Sequence, residues 1–255
     1  MLHSTEISVA EYQAGNYHRV IQFARYALAR DDENAAAWRC LARALVQTYS
    51  IVAAIDAFEN AALLQPLEPQ DSISLAIAYG AAGRRGLSRD LLMTVANSDS
   101  IDVEGLLQVA TGLEALDEPR LAMEACRRAG KLAPDSAQVH YQMGYYAQLA
   151  GQPVSIGEAL VRHAINLEPR NLHYRIGLAS MLIRLGRKCE AIAVIDHLIP
   201  KQLHEVSCLC CLKRIANLFF DGDDLHRARL CAQRIAELTA AASEKGHSPD
   251  ATVMQ

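Results

Sequence analysis

Small and large apolar positions alternate along this chain with a period close to 34 residues. One column reads Ala27, Ala61, Val95, Ala129, Ala164, Leu198 and Ile235, at successive spacings of 34, 34, 34, 35, 34 and 37. A second, Ser8, Ala42, Ala76, Ala110, Gly144, Ala179 and Ala216, is small throughout. A third, Val20, Ala54, Ser88, Ala122, Gly157, Ala191 and Ala228, is small or nearly so. Two columns of larger residues run beside them: Ile7, Leu41, Leu75, Val109, Met143, Leu178 and Ile215, then Phe58, Leu92, Cys126, Val161 and Ile195. Such a pattern is what close helix packing requires. Two antiparallel helices approach only where one side chain is nearly absent, and large apolar residues three or four positions away fill the space around the contact. Each hairpin leaves a face that only the next hairpin can cover, so the pattern predicts a stack.

A period near 34 with this alternation resembles the tetratricopeptide repeat (TPR) family, over about Ile7 to Ala240. Trp38, Leu41, Ala42, Ala54, Phe58, Ala61 and Pro66 stand at that family's signature places in the second repeat. Pro134 and Pro169 close the fourth and fifth repeats, where proline stops a helix. Gly15, Gly83, Gly151 and Gly186 fall at the turns inside their hairpins, while Tyr49 and Asp117 replace glycine at two others. Asp32, Ser100 and Leu203 stand in place of the helix-ending proline. The resemblance implies an all-α fold, an α-solenoid of about seven helical hairpins in a right-handed superhelix. We expect one repeat domain over residues 1–242 and a disordered tail over 243–255, where Gly246 and Pro249 interrupt any period. One extra residue near Gly151–Gly157 predicts a longer turn. Three more between Leu198 and Cys208 predict an altered angle for the last hairpin.

In this family the first helix of each hairpin lines a concave groove. Positions three before and one after the small residue share a face. They are Arg39 and Arg43, Ile73 and Ile77, Leu107 and Thr111, Tyr141 and Tyr145, and Ile176 and Ser180, with Arg184 one turn further on. The expected groove is apolar and aromatic in the middle, with two arginines at the N-terminal end. It suits an amphipathic helix or an extended peptide with an acidic end. Thr5 and Val9 occupy the places where chaperone-binding members carry a carboxylate clamp, which argues against that class.

Composition narrows the reading. Aromatic residues are only 5% and hydrophobic residues 51%, an alanine- and leucine-rich pattern with little strand character. Mean hydropathy is +0.03 and no apolar run is long enough to span a bilayer; the best, Val206–Phe220, is broken by Lys213 and Arg214. Net charge of −4 argues against a nucleic-acid partner. Seven irregularly spaced cysteines do not form a disulfide framework and no secretory signal is visible, so we expect a cytoplasmic protein with reduced thiols.

No phosphate-cradling loop, nucleophile elbow or His-Glu-x-x-His motif is present, so no catalytic residue and no cofactor is assigned. On a continuous helix His204, Cys208 and Cys211 would share a face, and thiolates with imidazole suit zinc. A fourth ligand is lacking and cysteine is a common small core residue, so core packing is the favoured reading. His140, His163, His173 and His197 occupy different repeat positions and need not meet. The pairs Arg84–Arg85 and Arg127–Arg128 are read as solvated surface. The expected function is a non-catalytic scaffold, adaptor or chaperone-like module for a protein or peptide partner. The alternatives are a self-assembling solenoid that forms homo-oligomers, and a regulatory subunit with a Cys/His metal site.

Overall fold

Seven tight turns set the architecture. Gly15, Tyr49, Gly83, Asp117, Gly151, Gly186 and Asp223 all have positive φ, between 56° and 77°. Their spacing repeats the sequence period, and each follows the end of one helix by two residues. At Tyr49 the turn is closed by Tyr49 N–H to Val46 O and Ser50 N–H to Leu45 O, at 3.0 and 2.9 Å. The same double bond recurs at Gly83, Asp117 and Gly186, which satisfies carbonyls that a helix end would leave open. Tyr49 and Asp117 therefore keep the glycine geometry without glycine.

The computed structural model describes residues 11–196, 198 and 200–244. Among these there are helices and turns but no strand. After a helical turn ending at Gln13 come α1 (Tyr17–Leu28), α2 (Ala35–Gln47), α3 (Ile51–Leu64), α4 (Pro69–Ala81), α5 (Arg85–Ala96), α6 (Val103–Ala115) and α7 (Pro119–Leu132). Then follow α8 (Ala137–Leu149), α9 (Val154–Leu167), α10 (Leu172–Arg184), α11 (Lys188–Ile195), α12 (Pro200–Glu205), α13 (Leu209–Asp221) and α14 (Leu225–Glu244). First helices of hairpins carry caps: Asn34, Asp102 and Asn171 accept from the N–H groups of Ala37, Gly105 and His173, and Pro69 opens α4. The second helices α3, α5, α7, α9 and α11 start directly from the turn without a side-chain cap, whereas at α14 Asp224 accepts from the Arg227 N–H at 2.9 Å.

Two compact units are present: the chain to Pro134 with Leu149–Gly151, and Asp135–Gln148 with Gln152 onward. In the first, α2–α3, α4–α5 and α6–α7 pack as hairpins, and α2, α4 and α6 also contact one another in succession. In the second, α10–α11 and α13–α14 pair, with α10 against α13. The small columns are the contact points. Ala42, Ala76, Ala110, Ala54 and Ala122 have no exposed surface, nor do Ala179 and Ala191. The large residues beside them, Phe58 and Leu92 in the first unit and Val161 and Ile195 in the second, are equally enclosed. Burial of each such side chain stabilises by about 1.5–3 kcal/mol. In the second unit two helices come almost backbone to backbone. A Cβ on Gly144 would lie 2.7 Å from Val161 and 2.8 Å from the Gly157 carbonyl.

Three expectations change. The residues added between Leu198 and Cys208 form a further helix, α12, that buries Leu203 and is followed by buried Val206. Arg85 and Arg128 are not free surface charges. Arg85 donates to the Leu116 carbonyl, and Arg128 donates to Ala96 and, at 2.8 Å, to Ser98. They cap open carbonyls of a neighbouring hairpin, as Arg227 does for Asp196 and Leu198 in the second unit. His140 and His163 do meet, edge to face at 4.4 Å between ring centroids. The final helix runs to Glu244; residues 245–255 and Ser8, Ile7, Thr5, Val9 and His197 lie outside the described residues.

Candidate functional site

In the first unit the expected groove residues divide by burial. Ile73 and Leu107 are 1% and 3% exposed, so they are core residues and face no partner. Ile77 is open at 49%. The two arginines are already engaged. Arg43 grips Asp71 through two bonds of 2.5 and 2.8 Å, and Asp71 is 1% exposed. Arg39 donates to Glu68 at 2.9 Å, and Arg43 reaches the same carboxylate at 3.3 Å. The bond to Asp71 raises the Arg43 pKa despite burial. This end is therefore a neutralised cluster that holds α2 to the start of α4, and not a basic mouth awaiting an acidic peptide.

In the second unit a cleft of about 420 Å³ is lined by Tyr141, Tyr145, Gly177, Ser180, Ile183, Arg184, Arg214, Asn217, Leu218 and Asp221. These come from the same face of α8, α10 and α13. Of the expected residues Tyr141, Tyr145, Ser180 and Arg184 are here, whereas Ile176 is 1% exposed and turned into the core. Its neighbour Gly177 takes the lining position. A Cβ at Gly177 would fall inside the Tyr141 phenol, so a glycine in mid-helix makes room for that ring. Tyr141 also packs against Tyr174 at 4.8 Å and His173 at 5.0 Å between centroids, and burial pushes its phenol pKa up. It forms the floor of the cleft.

Charge at the rim is mixed. Arg184 donates to Gln148 at 2.6 Å, and Asp221 pairs with Lys188 at 3.3 Å. Arg214 is exposed and has no ion pair among the described residues. Arg214, Asn217 and Asp221 were not expected. The rule that gave Ser180 from Ala179 gives Asn217 from Ala216, so that signal was in the sequence.

The expected metal ligands separate. His204 is exposed on α12, and residues 206–208 are not helical, so the face shared with Cys208 does not exist. Cys208, Cys210 and Cys211 do gather, with their sulfur atoms within 4.8 Å of one another. Cys208 is the N-cap of α13 and accepts from the Cys211 N–H at 3.4 Å. The histidine beside them is His173 of α10, its Nδ1 3.5 Å from the Cys211 sulfur.

The fold has solved relatives in shape. A tetratricopeptide repeat protein from Parabacteroides merdae superposes with a TM-score of 0.71 at 14% identity, over 92% of each chain. The chain has a tetratricopeptide-repeat fold. MamA matches with a TM-score of 0.56 at 14% identity, over 66% of this chain and 98% of that one. YrrB, a TPR protein with an unusual peptide-binding site, matches at 0.52 and 14%, over 68% of this chain and 89% of its own. No protein-family model matches the sequence, and no curated protein is similar to it. The TPR fold here thus rests on small contact residues and left-handed turns, which constrain volume and φ at a few positions and leave the rest free. None of the described helices is long and apolar enough to cross a membrane.

Proposed function

We propose that this TPR chain is a non-catalytic protein-interaction scaffold whose second unit holds a peptide, or one face of a helix, in the cleft between α8, α10 and α13. One observation carries the reading: three successive first helices present the same face to an open cavity of about 420 Å³. A surface built by repetition suits a repetitive ligand, such as an extended backbone or a helix. Its chemistry narrows the ligand. Tyr141 and Tyr145 offer flat, partly apolar surface of the type that anchors interfaces. Ser180 and Asn217 can bond a peptide backbone. Arg214 supplies a positive charge that Asp221, engaged by Lys188, does not cancel directly. The preferred ligand is a segment with a carboxylate next to an apolar or aromatic side chain.

The test is selection of binders from a displayed random-peptide library by the full chain, followed by fluorescence anisotropy with the selected peptides. Tyr145→Ala and Arg214→Glu should each weaken binding by about tenfold or more, one hot-spot contact each. Selected peptides that bind wild type and both variants equally would place recognition on another face.

A further inference from the structure

Three thiols and an imidazole converge at the start of α13. Two of the thiols are poorly explained as packing, since Cys210 is exposed and Cys208 only half-buried. The remaining cysteines, Cys40, Cys126, Cys189 and Cys231, lie outside this group. We propose that Cys208, Cys210, Cys211 and His173 form a tetrahedral site for a thiophilic d10 cation of the zinc type. This inference does not depend on the cleft's having a peptide ligand.

The geometry is close to what such an ion needs. With Zn–S near 2.3 Å and Zn–N near 2.0 Å, a tetrahedron has an S···N edge of about 3.5 Å and an S···S edge of about 3.8 Å. The Cys211 sulfur is 3.5 Å from His173 Nδ1. The sulfur pairs span this edge, from 2.8 Å between Cys208 and Cys210 to at most 4.8 Å. Closing the three-sulfur face needs sulfur shifts of about 1 Å, within reach of a side-chain rotation, and the His173 ring, placed against the Cys211 sulfur, must turn to meet the ion. At α2, α6 and α10 the corresponding cap is Asn34, Asp102 and Asn171, whose side-chain oxygens accept a helix-end N–H. At α13 a thiol takes that place.

Binding M²⁺ replaces three S–H protons, which leave to solvent, and forms three metal–sulfur bonds and one metal–nitrogen bond without redox change. The product carries one net negative charge, and Arg214, four residues after Cys210, lies close enough to act on that thiol. Because His173 belongs to α10 and the thiols to α13, the ion would tie two hairpins together across the connection that holds α12.

The experiment uses the full chain, purified reduced and metal-free under anaerobic conditions. It is titrated with Co²⁺ by visible spectroscopy, and with Zn²⁺ against a chromogenic chelator. We expect one equivalent to bind, with thiolate-to-cobalt charge transfer and the strong absorption of tetrahedral cobalt. Cys210→Ser, at an exposed position that the fold does not need, should weaken zinc binding by about 100-fold or more, as ligand-shell changes do. His173→Ala should do the same, with helicity of each variant confirmed by circular dichroism. Cys189→Ser should change nothing. The inference is overturned if no charge-transfer band appears while alkylation counts all seven thiols free. It is also overturned if Cys210→Ser binds as wild type does, or if mass spectrometry of the anaerobic protein finds a disulfide within the cluster.

Discussion

Gly177 and Tyr141 should behave as one structural unit. Glycine within a helix costs about 1 kcal/mol relative to alanine, so Gly177→Ala in α10 would stabilise an isolated helix. Here the new methyl falls inside the Tyr141 phenol and within 2.5 Å of its ring carbon Cε2. The ring must leave its seat on α10, losing contacts with His173 and Tyr174 at 5.0 and 4.8 Å. Exposing an aromatic side chain costs about 1.5–3 kcal/mol, and the ring pairs add about 0.5–1.5 kcal/mol. After the helix gain, Gly177→Ala should destabilise by about 1–3 kcal/mol. In a Tyr141→Ala background the clash is absent and the same change should stabilise by about 0.5–1 kcal/mol. The sign reversal is the readout, measured by urea unfolding of all four proteins and by hydrogen exchange of the α10 amides. Exchange is included because repeat arrays need not unfold in one step. If Gly177→Ala stabilises both backgrounds equally, the ring does not rest on that glycine, and the cleft floor has been drawn wrongly.

Further tests address the turns, the first-unit ion pairs and the histidine. Tyr49 is 81% exposed at φ 56°, so Tyr49→Gly should raise stability by about 0.5–1 kcal/mol, the left-handed penalty less the added unfolded-state entropy; a lower melting temperature would contradict this. Asp117→Gly should gain less, since aspartate tolerates that conformation better. Arg43→Met strands the buried Asp71 carboxylate and should cost about 2–3 kcal/mol, below the fully buried limit because Arg43 is 40% exposed. Adding Asp71→Asn should recover part of that loss in chemical denaturation. His173 has a folded pKa below its unfolded value of 6.5, so native stability is present above that value and falls as pH drops through the lowered pKa. His173→Gln should flatten that dependence in thermal melts from pH 7 to 5.

The repeat was legible because packing leaves little choice at its contact points. Ala42, Ala76 and Ala110 have no exposed surface, and any larger residue would push two helices apart. Glycine turns were equally plain. The period also placed Tyr49 and Asp117 at such turns, but their left-handed φ, like that of Asp223, is imposed by the flanking helices and has no glycine to announce it. The groove face was read a residue too far toward the neighbour. The small column shows which side of a first helix meets its own partner, but not how the adjacent hairpin covers its flank. Ile73, Leu107 and Ile176 lie on that covered flank, which leaves Gly177, Ser180 and Arg184 to the cleft in the second unit. The thiol cluster was placed with the wrong histidine because periodicity was carried through residues 206–208, where the helix is broken. The carbonyl-capping roles of Arg85 and Arg128 depend on the ends of other helices, which no local pattern records.

The two units use their first helices differently, and the difference follows from charge. In the first, Glu68 and Asp71 from the start of α4 fill the reach of Arg39 and Arg43, so the strongest polar groups satisfy one another. In the second, Gly177 of α10 seats the Tyr141 ring of α8, and Arg214 of α13 makes no ion pair among the described residues. The same two helices carry the thiol cluster at their N-terminal ends and the cleft along their length. A helix is stiff over three turns, so whatever fixes Cys208 and Cys211 against His173 also fixes Arg214 and Asn217 against Ser180 and Arg184. The cluster and the cleft are therefore two ends of one lever. That is why Cys210→Ser, which touches only the cluster, is the substitution that separates a structural tie from a ligand contact.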